Sequence, residues 1–194
     1  MDPVRYKVVK RIFDVVSAVI LLLILIIPML IISLLIKLTS KGPVLYWSDR
    51  PGRNNRIFQM PKFRTMRINT PAVATHLLEN PNKYLTPIGP FLRKLSLDEL
   101  PQLWSVLRGD MSFVGPRPAL YNQDDLMELR TEMGIHKIIP GITGWAQING
   151  RDDLPIPIKV GYDEYYLKNR SFFFDIKIIF LTLFKTVKSE GVQH

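Results

Sequence analysis

The 194-residue chain contains no cysteine. That excludes a disulfide scaffold, a thiolate nucleophile and any cysteine-ligated zinc or iron–sulfur centre. Its three histidines, His76, His136 and His194, share no metal-ligand spacing, so a histidine-rich zinc centre is not expected. There is no G-x-x-x-x-G-K-[ST] phosphate loop and no G-x-G-x-x-G dinucleotide fingerprint. A G-x-S-x-G nucleophile elbow is missing as well. With 47% apolar and 22% charged residues, the chain is neither disordered nor low in complexity, and its length suits one domain with a real core.

Acidic residues are scarce only at the start. Residues 1–67 carry 12 Lys and Arg against 3 Asp and Glu, whereas residues 68–194 carry 14 of each. The whole net charge of +9 therefore sits in the N-terminal third. Such an excess suits nucleic acid, anionic lipid or a phosphorylated ligand.

The choice among these falls to residues 15–36, VVSAVILLLILIIPMLIISLLI, an uncharged run between Asp14 and Lys37. About 20 apolar residues span a bilayer as a helix. A helix this long and apolar on every face cannot be buried in so small a domain, so the segment is expected to enter membrane. Pro28 near its middle is expected to kink or break it. Basic residues flank both ends: Arg5, Lys7, Lys10 and Arg11 before, and Lys37, Lys41, Arg50, Arg53 and Arg56 after. Lys and Arg prefer the cytoplasmic side. Both flanks obey that preference if the segment turns back at Pro28 and leaves on the side it entered.

The remainder reads as a compact α/β unit. Residues 44–48 and 56–66 are strand-like and joined by a turn-rich segment, predicting a β-hairpin. Residues 68–90 are mostly loop. Residues 97–108, 121–133, 160–168 and 172–188 predict helices, and residues 140–151 a loop with a short strand. The fold class expected is thus α/β: a small domain with a short hairpin and several helices, an N-terminal re-entrant membrane helix and interfacial amphipathic helices. Residues 1–40 form the membrane-inserted part and 41–194 the catalytic part. The stretch 172–188 is too charged to span but too apolar for one core face, which suits a helix on the membrane surface.

Asp98 and Glu99 are adjacent carboxylates where the 97–108 helix begins, and the residues alone read either as a helix start or as candidate catalytic acids. Ser96-x-x-Glu99 has capping-box spacing. Pro101 instead favours a start nearer Asp98, where its missing donor is harmless. Either start puts both acids at the positive end of a helix. Candidate phosphate clamps surround them. Lys62 and Arg64 alternate along the second strand and are expected on one face. Arg93 lies five residues before Asp98. Arg117 sits in the rigid Gly115-Pro116-Arg117-Pro118 loop, from which a guanidinium could be aimed at phosphate.

These pieces resemble one family closely. KRIFD (10–14), KFRTM (62–66), LRKLSLDELPQLWSVLRGDMSFVGPRP (92–118), PGITGWAQINGR (140–151) and FDIKI (174–178) are similar to the bacterial sugar transferases, the monotopic polyprenyl-phosphate phosphoglycosyl transferases. The resemblance covers nearly the whole chain and suggests a minimal catalytic unit. It implies transfer of a phosphosugar from a UDP-sugar to a polyprenyl phosphate such as undecaprenyl phosphate. The products are UMP and a polyprenyl diphosphosugar that starts a glycan such as a lipopolysaccharide O-antigen or a capsule. It implies that Asp98 is the nucleophile, that Glu99 assists the lipid-phosphate step or metal binding, and that Mg²⁺ is the cofactor, held by Asp98 and Glu99. By motif match Lys62, Arg93, Arg117, Arg151 and Asp175 belong with the site. It places the catalytic part on the cytoplasmic face of the bacterial inner membrane. Relatives often have Ser or Thr before the helix-breaking proline; here that residue is Ile27, so the bend rests on Pro28 alone.

Two other classes are disfavoured. A membrane-anchored nucleic-acid-binding module predicts surplus Lys and Arg in the soluble half, where the balance is zero. A transferase of the sugar alone would usually show D-x-D for its metal, and the chain has none.

Overall fold

The computed structural model describes residues 2–70, 80–150 and 154–187. Helix α1 (Pro3–Thr39) begins with Pro3 in its first turn and with Asp2 as N-cap, whose side chain accepts a hydrogen bond from the Val4 N–H. Pro28 lies inside α1, and helical structure runs without interruption on both sides of it. The expected break is therefore not a loss of helix. Proline lacks the donor that would have met the Ile24 carbonyl, and a helix otherwise made of good formers tolerates that.

One stripe of α1 is buried at helical spacing: Tyr6, Asp14, Ala18, Ile32 and Ile36. Ala18 packs with Phe58, Met60, Leu103 and Val106, while Ile32 and Ile36 pack with Phe63 and Leu92. Residues on both sides of Pro28 thus seat on the same domain. The opposite face is apolar and exposed from Val4 to Leu38.

Strands β1 (Leu45–Pro51) and β2 (Ile57–Phe63) pair antiparallel, with Tyr46 opposite Lys62. This is the predicted hairpin, closed by a turn with Asn54 and Asn55 at positive φ, a conformation asparagine tolerates. Helix α2 (Gly89–Lys94) leads to a 3-10 turn, Leu97–Glu99, and then to α3 (Gln102–Arg108). The single helix predicted over 97–108 is therefore split. Pro101 is its N-cap, so the longer helix that would have left its absent donor inside does not form. Ser96 adopts φ 54° and its side chain caps nothing, which removes the capping-box reading.

Strands β3 (Ser112–Val114) and β4 (Gly141–Thr143) pair in parallel. Between them lies α4 (Asp124–Glu132), and after them come α5 (Trp145–Ile148), α6 (Ile156–Asn169) and α7 (Phe172–Val187). Helix α6 starts four residues before the prediction. Helix α7 buries Asp175 and Ile178 while Phe173, Ile176, Phe180, Leu183 and Phe184 stay exposed. Its apolar surface exceeds one core face, as the sequence predicted.

Candidate active site

Three chain segments converge on the carboxylate pair. The 3-10 turn supplies Asp98 and Glu99. Strand β2 supplies Lys62, whose Nζ donates to Glu99 Oε1 at 2.7 Å and lies 3.9 Å from Asp98 Oδ2. The loop after β3 supplies Arg117, whose Nη2 donates to Glu99 Oε1 at 2.8 Å and Nη1 to Oε2 at 3.4 Å. The fork grips both carboxylate oxygens, which a lysine in its place could not do.

The loop that aims Arg117 is built by close backbone packing. A side chain on Gly141 would put its Cβ 2.1 Å from the Gly115 nitrogen, and one on Gly144 would put it 2.2 Å from the Gly115 carbonyl oxygen. The Gly115 N–H donates to the Thr143 carbonyl, and the Gly141 N–H donates to that of Pro116. The glycines of GPRP and PGITG are therefore fixed by contact between two backbones, not by turn conformation. Arg130 adds a strut: it pairs with buried Asp163 and donates from Nη1 to the Arg117 carbonyl at 2.8 Å.

The two carboxyls are shifted in opposite directions. Burial raises the Glu99 carboxyl, but Arg117 and Lys62 together overcome that and hold it far below the usual range. Asp98 is buried, and burial pushes its carboxyl up; Lys62 opposes the shift and Glu99 adds to it, with smaller opposition from Arg93 and Arg117. Burial likewise lowers the Arg93 guanidinium while Asp98 raises it. Arg93 donates from Nε to the Thr65 hydroxyl at 3.0 Å, and its charge acts on Asp98 without an ion pair between them. Glu99 is thus hydrogen-bonded by two cations, while among the described residues Asp98 has only the longer 3.9 Å ion pair with Lys62.

Not every predicted site residue joins this cluster. Strand β2 ends at Phe63, so the alternation that put Arg64 beside Lys62 stops one residue short. Arg64 donates instead to the Pro43 carbonyl and to Ser40, at the C-terminal end of α1, and it is buried there as a tie. Asp175 also stands apart from the acids. It accepts from Tyr6 at 2.9 Å, Lys10 at 2.8 Å and Tyr166 at 2.7 Å, locking α7 to α1. Arg151 lies outside the described residues. Arg130 went unnoticed in the sequence because an arginine near the end of an acidic helix looks like a solvated charge.

A family model described as bacterial sugar transferase matches residues 5–189. The chain belongs to that family. Among relatives of the sugar transferase, a protein of Bacillus subtilis named uncharacterized sugar transferase EpsL is 42% identical, the match covering 96% of this chain and 91% of that one. Undecaprenyl-phosphate glucose phosphotransferase of Komagataeibacter xylinus is 43% identical, covering 94% of this chain and 36% of its own length. UDP-glucose:undecaprenyl-phosphate glucose-1-phosphate transferase of Escherichia coli is 41% identical, covering 92% and 40%. The chain thus spans nearly all of the first relative and less than half of the other two.

Proposed function

We propose that this sugar transferase moves a phosphosugar from a UDP-sugar to a polyprenyl phosphate, undecaprenyl phosphate being the carrier named in its relatives. The observation that carries the reading is the unequal pairing of the dyad: Glu99 is clamped by two cations at 2.7 and 2.8 Å, while among the described residues Asp98 has only Lys62, at 3.9 Å. A carboxylate oxygen of Asp98 attacks the sugar-bearing phosphorus. The Asp98–phosphorus bond forms as the bond to the bridging oxygen breaks, and UMP leaves with that oxygen and its electron pair. An oxygen of the polyprenyl phosphate then attacks the same phosphorus, forms the diphosphate and expels the Asp98 carboxylate. Covalent catalysis divides one hard exchange into two easier ones. Arg117, Lys62 and Arg93 hold the phosphate charge that develops in each.

The dyad fits Mg²⁺ in one respect. Among the described residues no third acid or histidine completes a protein cage, and magnesium is commonly held by one or two carboxylates plus substrate phosphates. Asp98 would hold it together with the substrate phosphates, and Glu99 would join only by giving up Lys62 or Arg117, which occupy both of its oxygens; bound there it would neutralise diphosphate charge as a Lewis acid.

The reading extends to location. Residues 15–36 enter the inner membrane from the cytoplasm and leave on the same side. Support comes from the basic flanks and from the burial of Ala18 and Ile36, on either side of Pro28, in one domain. The exposed apolar stripe of α7 lies on the same membrane surface. UDP-sugars and undecaprenyl phosphate incubated with the membrane-bound protein test the reading. UMP release and a phosphosugar adduct on Asp98 are expected; UDP release would mean transfer of the sugar alone and overturn it.

A further inference from the structure

The membrane helix does more than anchor. Its N-terminal half carries two polar side chains three residues apart, and each grips a different arm of the site. Arg11 donates through Nη1 to the Val106 carbonyl at 2.6 Å and through Nη2 to the Leu107 carbonyl at 2.7 Å. Those carbonyls are in the last turn of α3, the helix that follows the dyad, where a cation also meets the negative helix end. Asp14, 3% exposed, accepts at Oδ1 from the Phe113 N–H at 3.1 Å. Phe113 is the middle residue of β3 and lies four residues before Arg117. A third grip involves the arm that carries Lys62: Ile32 and Ile36 pack on Phe63, and Ser40 accepts from Arg64.

From this arrangement we infer that Arg11 and Asp14 are positioning residues for the transfer reaction. They set the Asp98–Glu99 arm and the Arg117 arm at a fixed separation from a common helix face. The inference rests on the reading that Arg117 serves the transferred phosphate. Asp14 is the sharper case, because basic-flank topology requires no acid at this position. An exposure of only 3% for an aspartate at the membrane boundary is unfavourable unless its oxygens are used, and its bond is to backbone that leads directly into the GPRP loop. Arg11 differs from a generic basic flank in that its fork meets two carbonyls, a geometry lysine cannot reproduce.

Steady-state kinetics of UMP release in native-like vesicles test this. Asp14→Ala is expected to lower kcat by about a hundredfold, the scale of an ångström-sized misplacement of a catalytic group, with little change in KM for the UDP-sugar. Asp14→Asn keeps the acceptor for Phe113 and is expected to restore most of that rate. Arg11→Lys keeps the charge and should still lose kcat. If Asp14→Ala does not fold, Asp14→Glu serves, since it keeps the charge but shifts the carboxylate by one methylene. The deciding measurement is a double-mutant cycle with Arg117→Ala. A residue that acts through Arg117 adds almost nothing once that side chain is gone, whereas an independent structural role adds fully. Additive losses, or an Asp14→Asn enzyme as slow as Asp14→Ala, would overturn the inference. Should Arg117→Ala itself leave kcat and KM unchanged, the fault would lie in the reading of Arg117.

Discussion

Two buried acid–lysine clusters lie among the described residues, and their sequence motifs look equally functional. One is Asp98–Glu99 with Lys62; the other is Asp175 with Lys10. Around Asp175 the charges balance, and Tyr6, Lys10 and Tyr166 occupy both carboxylate oxygens. Among the described residues the field at Asp98 includes Lys62, Arg93 and Arg117 against the two acids, three cations to two anions. A saturated, neutral cluster holds helices together. A cluster with surplus cations and an under-paired carboxylate is prepared for an incoming anion. The difference lies in how fully each acid is paired, and a motif does not display it.

The largest effect expected comes from Asp98→Asn. It removes the proposed nucleophile and should reduce UMP release by on the order of 10⁴-fold or more, as loss of a covalent nucleophile does, with sedimentation with membranes unchanged. Because burial raises the Asp98 carboxyl above its ordinary range, the ionised form is disfavoured in the fold, and the neutral amide should melt at the same or a higher temperature. A clear fall in melting temperature would make Asp98 resemble Asp175 and erase the contrast.

Next is Arg117→Ala, expected to cost about 3–4 kcal/mol of transition-state stabilisation; among the described residues Glu99 then keeps only Lys62, so the melting temperature should fall as well. Asp175→Asn should lose stability without that loss of turnover. It leaves Lys10 facing a neutral group in a largely buried site, and breaking such pairs costs about 3–5 kcal/mol, so the melting temperature should fall while the residual folded enzyme turns over. Collapse of turnover in fully folded Asp175→Asn would return Asp175 to the catalytic group.

The pH profile sharpens the comparison within the dyad. Asp98 must be ionised to attack, and its carboxyl is raised, so kcat/KM should rise with pH through a value above the usual aspartate range. Glu99 is held far below that range and should not titrate in the same window. Glu99→Gln removes a neighbouring negative charge and frees Lys62 to approach Asp98, both of which favour ionised Asp98. The acidic limb of the residual activity should therefore move to lower pH. An acidic limb that stays in place would assign it to another group.

Much of this was legible in the residues and some was not. The hairpin, α7 and the carboxylate pair follow from local pattern: alternation over Leu45–Phe63, apolar excess over Phe172–Phe184, and two acids before a proline-capped helix. Arg64 was misplaced because alternation holds only while the strand lasts. The pairing of β3 with β4 joins two three-residue strands separated by a helix, and no local signal reveals it. Arg11, Asp14 and Arg130 each act through backbone groups far away in sequence. Their side chains resemble ordinary surface charges until the fold brings Val106, Phe113 and Arg117 to them.

The smallest effect expected is that of Pro28→Ala on topology. Restoring a donor at this position favours straight helix by about 3 kcal/mol. A straightened segment is long enough to span, so that gain alone would favour moving residues 1–10 to the far side. The structure adds opposing grips on both sides of the proline. Arg11 and Asp14 hold the first half to α3 and β3, and Ile32 and Ile36 hold the second half to β2. A spanning form must release one set or the other, and release of Asp14 and Arg11 would also place charge in or across hydrocarbon. Cysteines at positions 3 and 41 of the otherwise cysteine-free chain, labelled with an impermeant reagent in intact cells, should both stay protected in the parent and largely so in Pro28→Ala. Adding Asp14→Ala and Arg11→Ala to Pro28→Ala should expose position 3, because the grips are then gone and only the basic flank resists. Labelling of position 3 in the parent chain would show that the two halves of α1 do not share a side, and the contrast between a gripped helix and a plain anchor would fall with it.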